Sequence, residues 1–156
     1  MKTYNTGIIM DAHHPFVHRK NYNLMLKVFD KVDLDEIVII GDFGDFYFCN
    51  GHGKDPAISA KWTPKKEISF VRTELEKLVE RYPGARVVYI EGNHEYRLAR
   101  YLRDKAPELF GLVDWQELLD PRSELVDEFI PYGPDQLYYL AEGLSKLAAR
   151  HEPLAG

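Results

Sequence analysis

Short, nearly continuous apolar runs alternate along this chain with longer amphipathic ones. Gly7-Ile8-Ile9-Met10, Glu36-Ile37-Val38-Ile39-Ile40 and Arg86-Val87-Val88-Tyr89-Ile90 are rich in β-branched residues, the composition of strands buried on both faces of a parallel sheet. Between them, Tyr22 to Val32 and Pro64 to Tyr82 place apolar residues at helical spacing. In the second, Ile68, Val71, Leu75, Leu78 and Val79 form one stripe and charges occupy the other side. Thr63-Pro64 predicts an N-cap followed by Pro in the first helical position, and Pro83-Gly84 predicts the helix end. The order βαβαβ predicts right-handed crossovers and a parallel sheet.

Residues 41–63 carry Gly41, Gly44, Asn50, Gly51, Gly53 and Pro56 and read as one long irregular segment, a length usually kept for function. After Asn93 a helix is expected through Leu98 and Leu102, and Pro131-Tyr132-Gly133-Pro134 is a strong turn signal. Phe129, Tyr138 and Tyr139 read as the start of a second sheet's core, since strands favour aromatics.

Composition narrows the class without naming a function. The 156 residues, 45% hydrophobic, fit a single domain spanning 1–156. A chain of this length buries roughly 70% of its unfolded surface, so a metal is not needed merely to hold the core. A net charge of −5 excludes bulk electrostatic attraction to nucleic acid and leaves only a local basic patch as a route to a polyanion. Cys49 is the only cysteine, which excludes a disulfide framework and a cysteine-based zinc site. With no apolar signal core and no run of roughly 20 apolar residues, the expectation is a soluble cytoplasmic protein without a membrane partner.

The chemistry lies where the three apolar runs stop, at the carboxyl ends of the strands, where open α/β sheets collect ligands. The first run leads into Asp11-Ala12-His13, the second into Gly41-Asp42-Phe43-Gly44-Asp45 and the third into Gly92-Asn93-His94-Glu95. In an extended chain Asp11 and His13 lie on the same side and suit one cation as a pair. Asp42, from the neighbouring strand, has two oxygens and suits a bridge between two cations about 3.5 to 4 Å apart. Asn93 offers a neutral amide oxygen to the second. Each motif alone is weak, because a lone Asp after a strand is commonly a turn residue or helix cap. Their joint arrival at successive strand ends is much more specific.

These segments resemble the first three signatures of the calcineurin-like metallophosphoesterase family, of bacterial or bacteriophage type, in residues, order and spacing over about the first 105 residues. The resemblance implies an α/β fold, a sandwich of two sheets flanked by helices, and hydrolysis of phosphate mono- or diesters at a dinuclear site. It implies that Asp11 and His13 bind the first metal, Asp42 bridges and Asn93 binds the second. His94 would contact the scissile phosphate as the catalytic residue, with Asp45 and Glu95 as supporting residues. The cofactors implied are two divalent ions, manganese, iron or zinc, with manganese favoured. The family's later Gly-His-x-His pair does not occur in the sequence. The expectation is therefore a shortened member with an incomplete second sheet, whose second metal draws on His151 of Arg150-His151-Glu152-Pro153 and is held less firmly than the first.

Other histidines read as ordinary. His14 and His18 are expected in a polar loop at the surface or behind the ligands, and His52 in a glycine-rich loop that lacks the features of a phosphate-binding P-loop. Arg97, Arg100 and Arg103 follow at three-residue intervals. They read first as a solvated helix face pairing with Glu95 or Asp104, and second as contacts to an anionic substrate, Arg97 being nearest the site. The partner expected is a phosphorylated substrate, with nucleotide and nucleic acid among the candidates; oligomeric state is not decided. The competing reading is a non-catalytic phosphoesterase-fold binding or scaffold module.

Overall fold

A computed structural model describes residues 3–133 and the backbone of 137–140 and 147–150. In chain order its elements are β1 (Thr6–Met10), α1 (Arg19–Phe29), β2 (Glu36–Ile40), α2 (Pro56–Lys61), α3 (Pro64–Arg81), β3 (Arg86–Ile90), α4 (Tyr96–Lys105), α5 (Trp115–Leu119), β4 (Glu128–Ile130), β5 (Leu137–Leu140) and β6 (Leu147–Arg150), with short 3-10 turns at Tyr47–Cys49 and Pro107–Leu109.

The first four strands form one parallel sheet in the order β1-β2-β3-β4. Met10 lies opposite Ile40, Ile40 opposite Ile90, and Ile90 opposite Ile130. The strands therefore end flush, and the segments that follow them share one edge. Steady advance in one direction with right-handed crossovers sets the helices on one face. On that face Ile9, Ile37, Ile39, Val87 and Tyr89 pack with Val71, Leu75, Leu78, Leu98 and Trp115 in the main core. A smaller cluster of Val38, Val88 and Ile90, flanked by Ile40 and Ile130, occupies the other. β5 and β6 form a separate antiparallel pair.

Several expectations are corrected. β2 and β3 are buried on both faces, but β1 is an edge strand, and Ile8 and Met10 are 39% and 59% exposed. Residues 41–63 are not one irregular loop. Asp55 caps α2 through its carboxylate, which accepts from the Ala57 amide at 2.7 Å, with Pro56 next as the first helical residue. α1 starts at Arg19 because His18 caps it, its Nδ1 accepting from the Asn21 amide. Phe129 sits on β4 in the first sheet and packs its ring 5.7 Å from Tyr89 and 5.3 Å from Trp115, so it is not part of a second sheet.

The buried stripe of α3 also contains two acids, Glu67 and Glu74. Burial raises the Glu67 carboxyl to about 7 against the opposing hydrogen bonds from the amides of the 47–49 turn. Glu74 is neutralised by Arg19 and by Lys77 at 2.9 Å.

Candidate metal centre

At the flush edge the ladder between β1 and β2 continues past the strands. The His13 amide donates to the Asp42 carbonyl at 2.8 Å, the His14 amide to Phe43 at 2.8 Å and the Asp45 amide to His14 at 2.9 Å. Asp11, His13 and Asp42 adopt φ of 48°, 49° and 51°, a left-handed conformation that Asp, Asn and His tolerate best among non-glycine residues. These turns throw the three side chains to one side. One nitrogen or oxygen from each of Asp11, His13 and Asp42 falls within 4.8 Å of the others, as do those of His13, Asp45 and His94.

His13 belongs to both groups, and its two ring nitrogens face different partners. Nδ1 lies 3.3 Å from the Asp45 carboxylate, while Nε2 lies 3.9 Å from both Asp11 and Asp42. A histidine that ligates a metal usually gives its second nitrogen to a carboxylate in this way, which sets the tautomer and the ring plane. The contact with Asp45 raises the His13 pKa, burial opposes it, and the charges of Asp42, Asp45 and Asp11 add to the rise. For Asp45, burial alone would raise the carboxyl. Hydrogen bonds with His13 and His94 and the charges of His94 and Arg97 outweigh burial and hold it well below the usual carboxylate range.

His94 is positioned from three directions. Its amide donates to Asp42 Oδ1 at 2.9 Å, its Nδ1 lies 2.9 Å from the Asp45 carbonyl oxygen and its Nε2 2.8 Å from Arg97 Nη2. A carbonyl only accepts and a guanidinium only donates, so the proton is assigned to Nδ1 and the lone pair to Nε2. The rings of His13 and His94 meet edge to face at 4.3 Å. Arg97 is not part of a solvated face: it also donates to the Asp45 carbonyl at 3.1 Å and lies 3.8 Å from its carboxylate. Arg103 pairs with Asp104 at 3.6 Å, as the first reading had it.

Glu95 is fully buried and makes no pair with an arginine among the described residues. Its oxygens accept from the amides of Asp42 (2.9 Å), Gly92 (3.0 Å) and Gly44 (3.1 Å) and from the Tyr89 hydroxyl (2.7 Å). One carboxylate thus ties the loops after β2 and β3 together. Asn93 is exposed at the turn between Gly92 and His94, beside the amide that grips Asp42. His151 lies outside the described residues.

Sequence reasoning misplaced His14. It is 0% exposed, with its ring 4.6 Å from Phe43 and 5.0 Å from Tyr22, and neither ring nitrogen has a hydrogen-bond partner among the described residues. Phe43, which helps enclose it, comes from the loop after β2, so burial depends on packing between elements.

The donors fit a divalent metal. They combine carboxylates, an imidazole with its second nitrogen on a carboxylate, and an amide at the neighbouring turn, a set that suits manganese, iron or zinc. No helix among the described residues is long and apolar enough to cross a membrane. Residues 6–150 match the family model described as calcineurin-like phosphoesterase. No match was found among curated proteins or among solved structures.

Proposed function

The chain belongs to the calcineurin-like phosphoesterase family, and from that premise we propose that it hydrolyses a phosphate mono- or diester at a dinuclear, preferentially manganese, centre in the cytoplasm. The observation that carries this reading is the convergence of Asp11, His13 and Asp42 with the far nitrogen of His13 turned onto Asp45. Asp11, His13 and Asp42 would hold the first ion, and Asp42 and Asn93, with His151 as a further candidate, would hold the second. Such ions supply an acidified water and neutralise charge on the phosphoryl oxygens.

The residues around them do the rest. Asp45 keeps its charge and fixes the planes of both imidazoles. As the P–O bond breaks, His94 Nε2 would pass to the leaving oxygen the proton that the attacking water gives up. Arg97 meets a phosphoryl oxygen with its planar fork. Glu95 keeps Asp42 and the Asn93 turn at fixed separation, so binding costs little reorganisation.

The test is hydrolysis of bis(p-nitrophenyl) phosphate and p-nitrophenyl phosphate with manganese added or chelated, alongside calorimetric titration with manganese. Asp42→Asn is expected to abolish binding of both ions. His94→Ala is expected to spare binding and lower kcat by about 10²- to 10⁴-fold. Elemental analysis is expected to find one firmly held ion, because the first site has three protein groups and the second relies on shared Asp42, exposed Asn93 and His151. Occupied metal sites with no hydrolysis of either ester would favour the scaffold reading instead.

A further inference from the structure

We propose that a groove along one face of α3, closed at one end by Trp62, binds single-stranded nucleic acid and leads it to the catalytic edge. The proposal rests on the phosphoesterase reading for what the strand would meet there. The groove is shallow and open, about 670 Å³, and is lined by Trp62, Lys65, Lys66, Phe70, Glu74 and Lys77. Its aromatic residues are linked: Trp62 and Phe70 lie 5.3 Å apart edge to face, and Trp62 lies 6.4 Å from Phe16, which in turn lies 5.7 Å from Tyr47. Phe16 is 40% exposed, and its amide donates to the carbonyl of His13, a proposed metal ligand. The aromatic track therefore runs from the groove to the metal loop.

Cations accompany the track. Arg19 lies over the Phe70 ring at 5.3 Å and Lys61 over the Trp62 ring at 5.6 Å. Lys65 and Lys66 are exposed in the first turn of α3. Glu74, the acid of the lining, is already neutralised by Arg19 and Lys77. At the groove Lys61, Lys65 and Lys66 are exposed, while Glu67 is buried and Glu74 is paired, in a chain whose net charge is −5. The positive potential is therefore local. Half-buried aromatic faces interleaved with lysines are the chemistry of single-strand binding, in which bases stack and phosphates meet ammonium groups. A duplex hides its base faces and would use the lysines alone.

The experiment follows the anisotropy of a fluorescein-labelled oligothymidylate of ~12 nucleotides, added to the full chain in EDTA so that binding is read without hydrolysis. The intact protein is expected to bind, with affinity falling as salt rises. Lys65→Ala with Lys66→Ala should flatten the slope of log affinity against log salt by about 1.4. Trp62→Ala should weaken binding by on the order of tenfold and Trp62→Phe should restore much of it, with circular dichroism showing each variant folded. Lys27→Ala with Lys31→Ala, at the opposite edge of the sheet, should leave the slope unchanged.

Several results would overturn the proposal: no anisotropy change with the intact chain, groove variants that bind as the intact chain does, equal loss in the distant pair, or tighter binding of the matching duplex. An intact chain that binds the oligothymidylate yet hydrolyses no ester with manganese would leave the groove standing and remove the catalytic reading.

Discussion

At the scale of single residues, two buried ionisable groups set opposite pH dependences. Burial lowers the His14 pKa to about 4, with the neighbouring Arg19 and Lys77 assisting and Glu74 opposing. The folded state keeps His14 neutral while the unfolded chain takes up a proton near its ordinary value. The stability involved is present above about 6.5 and is lost as pH falls toward 4. Glu67, raised by burial to about 7, works the other way. Its contribution is present below about 4.5 and is lost as pH rises through 7. Each effect is up to about 3 kcal/mol, so the two largely cancel between pH 4.5 and 6.5. His14→Phe is expected to expose the Glu67 decline, and Glu67→Gln the His14 rise, in urea midpoints measured across that window. Midpoints in both variants that follow the intact protein would contradict the argument.

At the scale of elements, the strand ends approach one another so closely that glycine is required. A Cβ on Gly92 would lie 2.2 Å from Asp42 Oδ1 and 2.4 Å from the Asp42 amide nitrogen, and one on Gly41, whose φ is +63°, would lie 2.6 Å from the Gly92 Cα. Gly92→Ala must therefore push apart the loops that Glu95 holds. It is expected to cost about 3 kcal/mol or more and to abolish manganese binding in calorimetry. Gly51→Ala, with open space around it, should change stability by no more than about 0.5 kcal/mol. Glu95→Gln replaces an acceptor-only group, facing three amides and a hydroxyl, with one carrying an NH₂. It should destabilise by about 1 to 3 kcal/mol and weaken manganese binding without touching the ion.

At the scale of the whole molecule, a proposed metal that binds only the folded chain adds to its stability. At a free concentration about 100 times its Kd the gain is about 2.7 kcal/mol, or roughly 5 to 10 °C in Tm for a chain of this size. Thermal unfolding with manganese and with EDTA should differ by that amount for the intact chain and not at all for Asp42→Asn. The molecule is acidic overall, with a net charge of −5, while Lys61, Lys65 and Lys66 are exposed together near the start of α3.

The parallel strands, the crossover helix of residues 64–81 and the three polar clusters after the strands were legible in the sequence. Each is written in local pattern: β-branched runs, a helical stripe, and ligand-type residues spaced by one or two positions. Two features of the elements themselves escaped that pattern, the edge position of β1 and the short helix inside residues 41–63, because burial of a strand's second face depends on its neighbours and a capped turn of six residues has too few positions to show a period. The tertiary structure alone decided the partners. It turned His13 Nδ1 and Arg97 onto Asp45, bound Glu95 to the amides of Asp42 and Gly44, and enclosed His14 among aromatic residues. Pattern along a chain reports which faces are apolar. Which polar atoms meet across distant stretches of chain depends on sheet register and helix packing, and these exist only once the chain has folded.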